Sequence, residues 1–206
     1  MIITAQKGKA NKIHISINGE YKLTVDADFW FSSGYISGDE IDEEQYQTLA
    51  DKIAKRRCFN RALNILSRRD HCEKELYNKL RRADGDAAAQ DAVERIKALG
   101  YINDERYAFT LAEELASRKG YGIRAIQSEL LRRGIDRETA EITINSITLD
   151  ESNNIRLLLE GKFSRKLTTE KGRKQVFAAL LRLGYSYSDI RSAMSEYDNF
   201  DEVCDI

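Results

Sequence analysis

Residues 117–130 read SRKGYGIRAIQSEL, and this stretch contains the pattern that decides the fold. It combines a small triplet, Ser117-Arg118-Lys119, with an apolar pair at i, i+4, Ile126 and Leu130. The combination occurs twice more, with triplets at Ser67-Arg68-Arg69 and Ser164-Arg165-Lys166 and with pairs 50 residues away at Leu76/Leu80 and Val176/Leu180. Such a period predicts one supersecondary unit repeated in tandem, each copy burying its apolar face on its neighbours. Arrays of this kind offer a long surface to another macromolecule.

The composition is that of a mostly helical, soluble intracellular protein. The 206 residues include no Pro, whereas average usage gives roughly ten, and Pro is the residue that breaks helix interiors. The three cysteines, Cys58, Cys72 and Cys204, show neither metal nor disulfide spacing and predict reduced thiols. No signal peptide or membrane-spanning run is present. We therefore expect a soluble cytoplasmic protein that needs no metal or cofactor.

Residues 1–41 predict a β-rich N-terminal module. Two alternating apolar runs, Ile13/Ile15/Ile17 and Tyr21/Leu23/Val25, flank Asn18-Gly19, the strongest short-range signal for a hairpin. A lone hairpin is marginally stable in water. We expect the following Phe29-Trp30-Phe31 to supply the apolar contact that it needs.

From residue 42 onward the pattern predicts nine helices in three trios. Repeat 1, residues 42–102, has helices near 42–67, 70–82 and 87–99. Repeat 2, residues 103–148, has helices near 103–120, 122–134 and 136–146. Repeat 3, residues 149–197, has helices near 151–162, 169–183 and 186–197, and residues 198–206 form an acidic tail. The signals are helix caps, among them Asp42 with Gln45, Asn103 and the glycines Gly100, Gly120 and Gly134.

Charge follows the repeat although the net charge is only −1. Residues 117–137 hold 6 Lys/Arg against 2 Asp/Glu, and residues 162–182 hold 7 against 1, whereas residues 138–160 hold 1 against 5. The second helix of each trio is therefore basic, and stacked repeats would align these helices as a footprint for a polyanion. Solvated faces, with cations near helix C-termini where the dipole favours them, explain Arg81/Arg82 and Arg132/Arg133 equally well.

Residues that support catalysis are scarce. Gly120-Tyr121-Gly122 loosely matches a dinucleotide fingerprint, but a helix precedes it where that motif needs a strand, so a glycine cap followed by a helix start is favoured. The histidines, His14 and His71, have no nucleophile placed beside them by the sequence. We expect no catalytic residues. The tyrosines Tyr101, Tyr107, Tyr121, Tyr185 and Tyr187 are expected to seal contacts between repeats.

Three segments resemble the RecX family, regulators of the RecA recombinase. Residues 62–76, ALNILSRRDHCEKEL, resemble the family's opening repeat, and 99–108, LGYINDERYA, resemble its join between repeats one and two. Ser117-Arg118-Lys119-Gly120-Tyr121-Gly122 resembles its second repeat. Cys72 stands where the family often has a Ser that caps a helix with Glu75, which predicts a cap shifted to Asp70 with Glu73.

The resemblance implies a mostly α fold, an elongated curved array of three-helix repeats. It also implies a non-enzymatic monomer that binds the RecA–DNA filament in its groove and suppresses filament growth, ATPase activity and strand exchange, and so modulates recombination, DNA repair and the SOS response. Contact with single- or double-stranded DNA phosphates is implied as well. The basic repeats supply the predicted filament-binding residues: Arg68, Arg69, Arg81, Arg82, Arg118, Lys119, Arg124, Arg132, Arg133, Arg165, Lys166, Arg173 and Lys174.

Two other functions remain open at this point. A general DNA-binding protein would bind naked DNA and filaments with comparable affinity. A helical-repeat scaffold for a protein partner would bind in a salt-insensitive way, because its charges would only keep it in solution.

Overall fold

The computed structural model describes residues 1–195 and Tyr197, so the acidic tail predicted at 198–206 lies outside the described residues. By its internal contacts the chain forms two compact units. The N-terminal unit contains residues 1–68 and 77–99, and the C-terminal unit contains residues 69–76 and those from 100 onward.

The N-terminal module is a three-stranded antiparallel sheet in the order β1 (Ile3–Lys7), β2 (Lys12–Ile17) and β3 (Glu20–Asp26). The predicted hairpin is confirmed. Asn18 and Gly19 form its two-residue turn with φ of 51° and 81°, and two consecutive positive φ angles are what makes Asn-Gly favourable there. Ile3 pairs with Ile17 and places β1 beside β2.

Strand β1 and a short helix, α1 (Ala27–Ser32), were not predicted. In the turn before β2, Ala10 and Asn11 have φ of 53° and 57°. Glycine is the usual sequence signal for such positive φ angles, and neither position has one. Helix α1 buries Trp30 in the core, but Phe31 is 77% exposed, so its expected apolar contact was wrong.

The nine predicted helices of the three trios are all present. Repeat 1 has α2 (Glu43–Leu66), α3 (Glu73–Asp84) and α4 (Asp86–Ala98). Repeat 2 has α5 (Asp104–Lys119), α6 (Ile123–Arg133) and α7 (Arg137–Ser146). Repeat 3 has α8 (Glu151–Glu160), α9 (Glu170–Arg182) and α10 (Tyr187–Met194), with a 3₁₀ turn over Ser164–Lys166. The mostly α class with tandem three-helix domains and a small β module is confirmed, whereas the exact repeat limits stay a prediction.

Cap chemistry explains several helix limits. The Asp42 carboxylate accepts the Gln45 N–H at 2.7 Å, and the Gln45 side chain accepts the Asp42 N–H at 3.0 Å, which is the predicted capping box at the start of α2. Helix α5 begins at the predicted cap Asn103 and ends at Gly120 in the left-handed conformation. These local signals need no tertiary context, which is why the sequence revealed them.

Each unit has its own buried core. In the N-terminal unit the inward residues of the sheet, such as Ile15 and Val25, pack on Trp30 and on Leu49 and Ile53 of α2, and α2 runs along α4. In the C-terminal unit one cluster includes Leu115, Ile126 and Leu130, and a second forms around Ile155, Val176, Leu180 and Tyr185. The i, i+4 pairs of the 50-residue pattern are fully buried: Leu76, Leu80, Ile126, Leu130, Val176 and Leu180.

Two expectations about tyrosines were wrong. Tyr107 and Tyr185 are buried as predicted, and Tyr121 is half-buried. Tyr101 and Tyr187, at helix starts, are 55% and 46% exposed and seal no core. None of the helices in the described part of the chain is both long enough and apolar enough to span a bilayer.

Candidate functional site

The predicted filament-binding residues are divided between the two units. Arg68, Arg81 and Arg82 lie in the N-terminal unit and the remaining ten in the C-terminal unit. Eleven of the thirteen side chains are exposed, and Arg133 and Arg173 are half-buried. Their role in binding stays a prediction. Their local contacts divide them into cations that are bound by groups of the protein itself and cations that are more available to a partner.

The Arg133 side chain is bound by groups of its own repeat. Its guanidinium donates to Glu129 at 2.9 Å and to the Tyr107 hydroxyl at 2.8 Å, and Arg132 binds the same Glu129 carboxylate twice at 2.7 Å. Hydrogen bonds from Arg132 and then Arg133 lower the pKa of Glu129 to about 2. This cluster ties the end of α6 to the start of α5.

Arg69 and Arg173 also have internal partners. Arg69 makes a bidentate pair with Glu75, with Nη2 2.5 Å from Oε1, and donates to the Asp70 carbonyl at 3.0 Å. Arg173 donates through Nη1 to the Leu167 carbonyl at 3.2 Å. These two arginines stabilise loops of the protein as well as presenting charge to a partner.

The other cations are more available. Arg118 and Lys174 pair with exposed acids one turn earlier, Glu114 at 3.7 Å and Glu170 at 3.0 Å, and such surface pairs are worth little. Arg81 and Lys119 lie 5.8 Å and 6.0 Å from tyrosine ring centres. Within the described part of the chain no side-chain ion pair is made by Arg68, Arg82, Arg124, Arg165 or Lys166.

One kind of contact between two helix starts, which we call a joint, occurs twice in the C-terminal unit. The Asp104 carboxylate, at the start of α5, accepts the Glu73 N–H at the start of α3 at 2.8 Å. The Glu151 carboxylate, at the start of α8, accepts the Ile123 N–H at the start of α6, also at 2.8 Å. The shifted cap expected at Asp70 with Glu73 was therefore wrong, because Asp104 takes the Glu73 N–H.

The glycines of the Gly120-Tyr121-Gly122 motif belong to the second joint. Gly120 ends α5, and Gly122 begins α6 while donating its N–H to the Leu183 carbonyl at 2.8 Å. The Tyr185 hydroxyl donates to the Gly120 carbonyl at 3.0 Å, and burial raises the pKa of Tyr185 to about 12. The cap interpretation is confirmed. A phosphate at this helix start is disfavoured because the Glu151 carboxylate already occupies it.

The structure also shows a basic cleft that the sequence did not predict. It lies wholly within the N-terminal unit, has a volume of about 660 Å³, and joins the sheet to α2 and α3. We call it the α2 cleft. Its charged lining residues are Lys12, Asp26, Arg56, Arg57, Arg61, Arg68 and Lys79. Only Arg68 was among the predicted site residues, because the other cations come together through packing of the sheet on α2.

The histidines show no catalytic arrangement. His14 Nδ1 lies 2.7 Å from the Thr24 hydroxyl on the neighbouring strand. His71 is buried, with Nδ1 2.9 Å from the Arg69 carbonyl and Nε2 3.8 Å from Glu75. Among the described residues, no group of three or more His, Cys, Asp and Glu side chains is placed to hold a metal ion.

Three-helix domains in tandem, with cationic, solvent-facing helix ends, define a helical-repeat protein. Two family models match within these repeats: the first three-helix domain of RecX over residues 58–95 and the second over residues 103–144. The chain belongs to the RecX family of regulatory proteins, because it is 33% identical over 201 residues to the regulatory protein RecX of Caldanaerobacter subterraneus subsp. tengcongensis. That alignment covers 95% of this chain and 99% of the relative.

Other relatives agree. The regulatory protein RecX of Bacillus velezensis is 29% identical, over 98% of this chain and 79% of the relative. A crystal structure of regulatory protein RecX has the same fold, with a TM-score of 0.70, 21% identity and coverage of 94% of this chain and 97% of that one. RecX from Lactobacillus salivarius superposes with a TM-score of 0.60 at 25% identity, over 70% of this chain and 97% of its own.

Proposed function

We propose that this protein is a non-enzymatic regulator that binds the filament of the RecA recombinase on DNA. Binding inhibits filament extension, ATP hydrolysis and strand exchange, and thereby modulates recombination, DNA repair and the SOS response in the cytoplasm. The observation that supports the proposal most is membership of the RecX family over nearly the whole chain. The protein acts as a monomer whose repeats lie in the filament groove.

The cations of the repeats support this proposal from the residues upward. Arg124 on α6 and Lys174 on α9 are both exposed and lie 50 positions apart in the sequence. Arg165 and Lys166 are exposed on the 3₁₀ turn that precedes α9. A nucleoprotein filament presents DNA phosphates and acidic side chains, and long cationic side chains bind such groups by charge with little demand on exact geometry. No reacting groups are needed, since occupancy of the groove is enough to block subunit addition.

The test measures ATP hydrolysis by RecA on single-stranded DNA while the protein is added. The parent should inhibit. A triple neutralisation of unpaired cations, Arg124→Gln with Arg165→Gln and Lys166→Gln, should weaken inhibition about tenfold or more and reduce its salt dependence. Each substitution leaves the internal hydrogen bonds of its repeat intact.

The matched control removes three exposed charges from first and third helices: Arg106→Gln with Arg137→Gln and Arg156→Gln. It has the same net charge as the test variant and should inhibit within about twofold of the parent. Equal loss in both variants would show that only total charge matters. No inhibition by the parent would overturn the proposal.

A further inference from the structure

We infer that the α2 cleft binds the sugar–phosphate backbone of nucleic acid, independently of RecA. The cleft is a second, separate binding site, because five of its six cations lie outside the predicted filament-binding set. It goes beyond the proposed function, which requires a protein filament and is carried by the repeats.

The first argument is charge density. Six Lys and Arg side chains line the cleft, and Asp26 is the only carboxylate among the lining residues. Asp84, whose side chain is 1% exposed, lies beneath them and pairs with Arg61 at 2.7 Å and Arg57 at 3.6 Å. With Lys79 left aside, five cations against two carboxylates leave an excess of about three positive charges, in a chain whose net charge is −1.

The second argument is preorganisation by these two acids. Asp26 holds Lys12 at 2.5 Å and lies 4.0 Å from Arg56, whose guanidinium also stacks 5.6 Å from the centre of the Phe29 ring. Asp84 fixes Arg61 from below. Each carboxylate is shared by two cations, so it orients them without neutralising both. Side chains held in this way lose less entropy when they bind an anion.

The third argument is the spacing along α2. Arg57, Asn60, Arg61, Asn64 and Arg68 follow one another at i, i+3, i+4, i+7 and i+11, which places them on one helix face. That face is about 16 Å long. A duplex segment of the same length carries about nine phosphate charges, at one charge per about 1.7 Å of axis.

The neutral donors distinguish a phosphate backbone from an acidic peptide. Asn60, Asn64 and Thr24 supply amide and hydroxyl groups among the arginines. Arg, Lys, Asn and Thr are the side chains that contact phosphate and sugar oxygens in protein–nucleic acid complexes. Such contacts position a backbone and read no sequence, so the cleft should bind DNA of any sequence.

The test uses the full chain without RecA and follows the fluorescence anisotropy of labelled single-stranded and duplex oligonucleotides of mixed sequence. The double variant Arg56→Gln with Arg57→Gln should bind at least tenfold more weakly. The slope of log K against log salt should fall by about two, one for each lost phosphate contact. In this variant Asp26 still pairs with Lys12, and Asp84 still pairs with Arg61. The fold should therefore be retained, with an unchanged circular dichroism spectrum and melting temperature.

The control is Lys7→Gln with Lys52→Gln, which removes two exposed charges of the same unit outside the cleft. It should bind DNA within about twofold of the parent. Equal affinity of the cleft variant and the parent would overturn the inference. So would displacement of the oligonucleotide by a poly-glutamate peptide at equal charge concentration, which would indicate an acidic protein ligand. Neither cleft substitution is in the filament-binding set, so loss of DNA binding and loss of RecA inhibition are separable.

Discussion

Glu151 accepts a hydrogen bond from the Ile123 backbone N–H at 2.8 Å, so the first residue of α8 caps the first residue of α6. The two residues are separated by 28 positions in sequence. Asp104 makes the same contact with Glu73. A carboxylate at a helix N-terminus satisfies a free N–H and interacts favourably with the helix dipole. Each carboxylate therefore stabilises two helix starts, its own and that of an earlier helix.

Replacement of Glu151 by Ala should lower the free energy of unfolding by about 1–2 kcal/mol, because the Ile123 N–H loses its acceptor. Glu151→Gln keeps an acceptor oxygen and should cost about half as much. Urea denaturation measures both values. Glu138→Ala removes another first-turn acid, on α7, and should cost no more than about 0.5 kcal/mol. Equal costs for Glu151→Ala and Glu138→Ala would contradict the capping role.

Gly184 should tolerate no side chain. Its φ is +92°, and a Cβ there would lie 2.3 Å from the Ala125 backbone nitrogen. Gly184→Ala should destabilise the protein by about 3–5 kcal/mol, from left-handed strain and the clash together. Gly100 also has a positive φ, +73°, but a Cβ at that position would meet no atom within 4 Å. Gly100→Ala should cost only about 1–2 kcal/mol. Thermal unfolding measures both variants, and similar costs at the two sites would refute the close contact.

Stability should depend on Glu129 between pH 4.5 and 2. Hydrogen bonds from Arg132 and Arg133 lower the pKa of Glu129 from 4.5 to about 2. A depressed folded-state pKa gives stability that is fully present above the unfolded value and is lost as pH falls through the folded one. Glu129→Gln should therefore be less stable than the parent by about 1–2 kcal/mol at pH 7. The difference should shrink as pH falls from 4.5 towards 2, and a constant difference would argue against the charged network.

Cys58 should be chemically silent in the folded protein. Its side chain is fully buried, and burial, with a smaller contribution from the Asp84 carboxylate, raises the pKa of its thiol to about 11. Only about one molecule in a thousand is then thiolate at pH 8. Iodoacetamide followed by peptide mass spectrometry should modify Cys58 in denaturant but not in buffer. Rapid labelling in buffer would show that the N-terminal unit opens readily.

Much of the fold was predictable because its signals are local. Asp42 with Gln45, Asn18-Gly19 and Gly120 each specify a cap or turn through their own backbone and side chains. The 50-residue pattern identified the buried pairs because identical units bury identical positions. Strand β1 escaped detection because its turn uses Ala10 and Asn11 in place of glycine.

The candidate sites were less predictable, since tertiary packing creates them. Lys12 on β2 and Arg57 on α2 are 45 positions apart, and neither segment has a sequence pattern that predicts a shared cleft. Counts of charge along the chain located the basic helices but could not separate Arg133, which is bound by Tyr107 and Glu129, from exposed Arg124 on the same helix. Burial and partner geometry decide which cation is available.

The shared capping carboxylates have a consequence for synthesis on the ribosome. When residue 123 leaves the exit tunnel, the acceptor for its N–H, residue 151, has not yet been translated or is still inside the tunnel. Helix α6 thus emerges with an unfinished N-terminus and gains its cap only when α8 appears. Maturation of each segment is coupled to arrival of the next, so a nascent chain stalled before residue 151 carries a second domain that is incomplete.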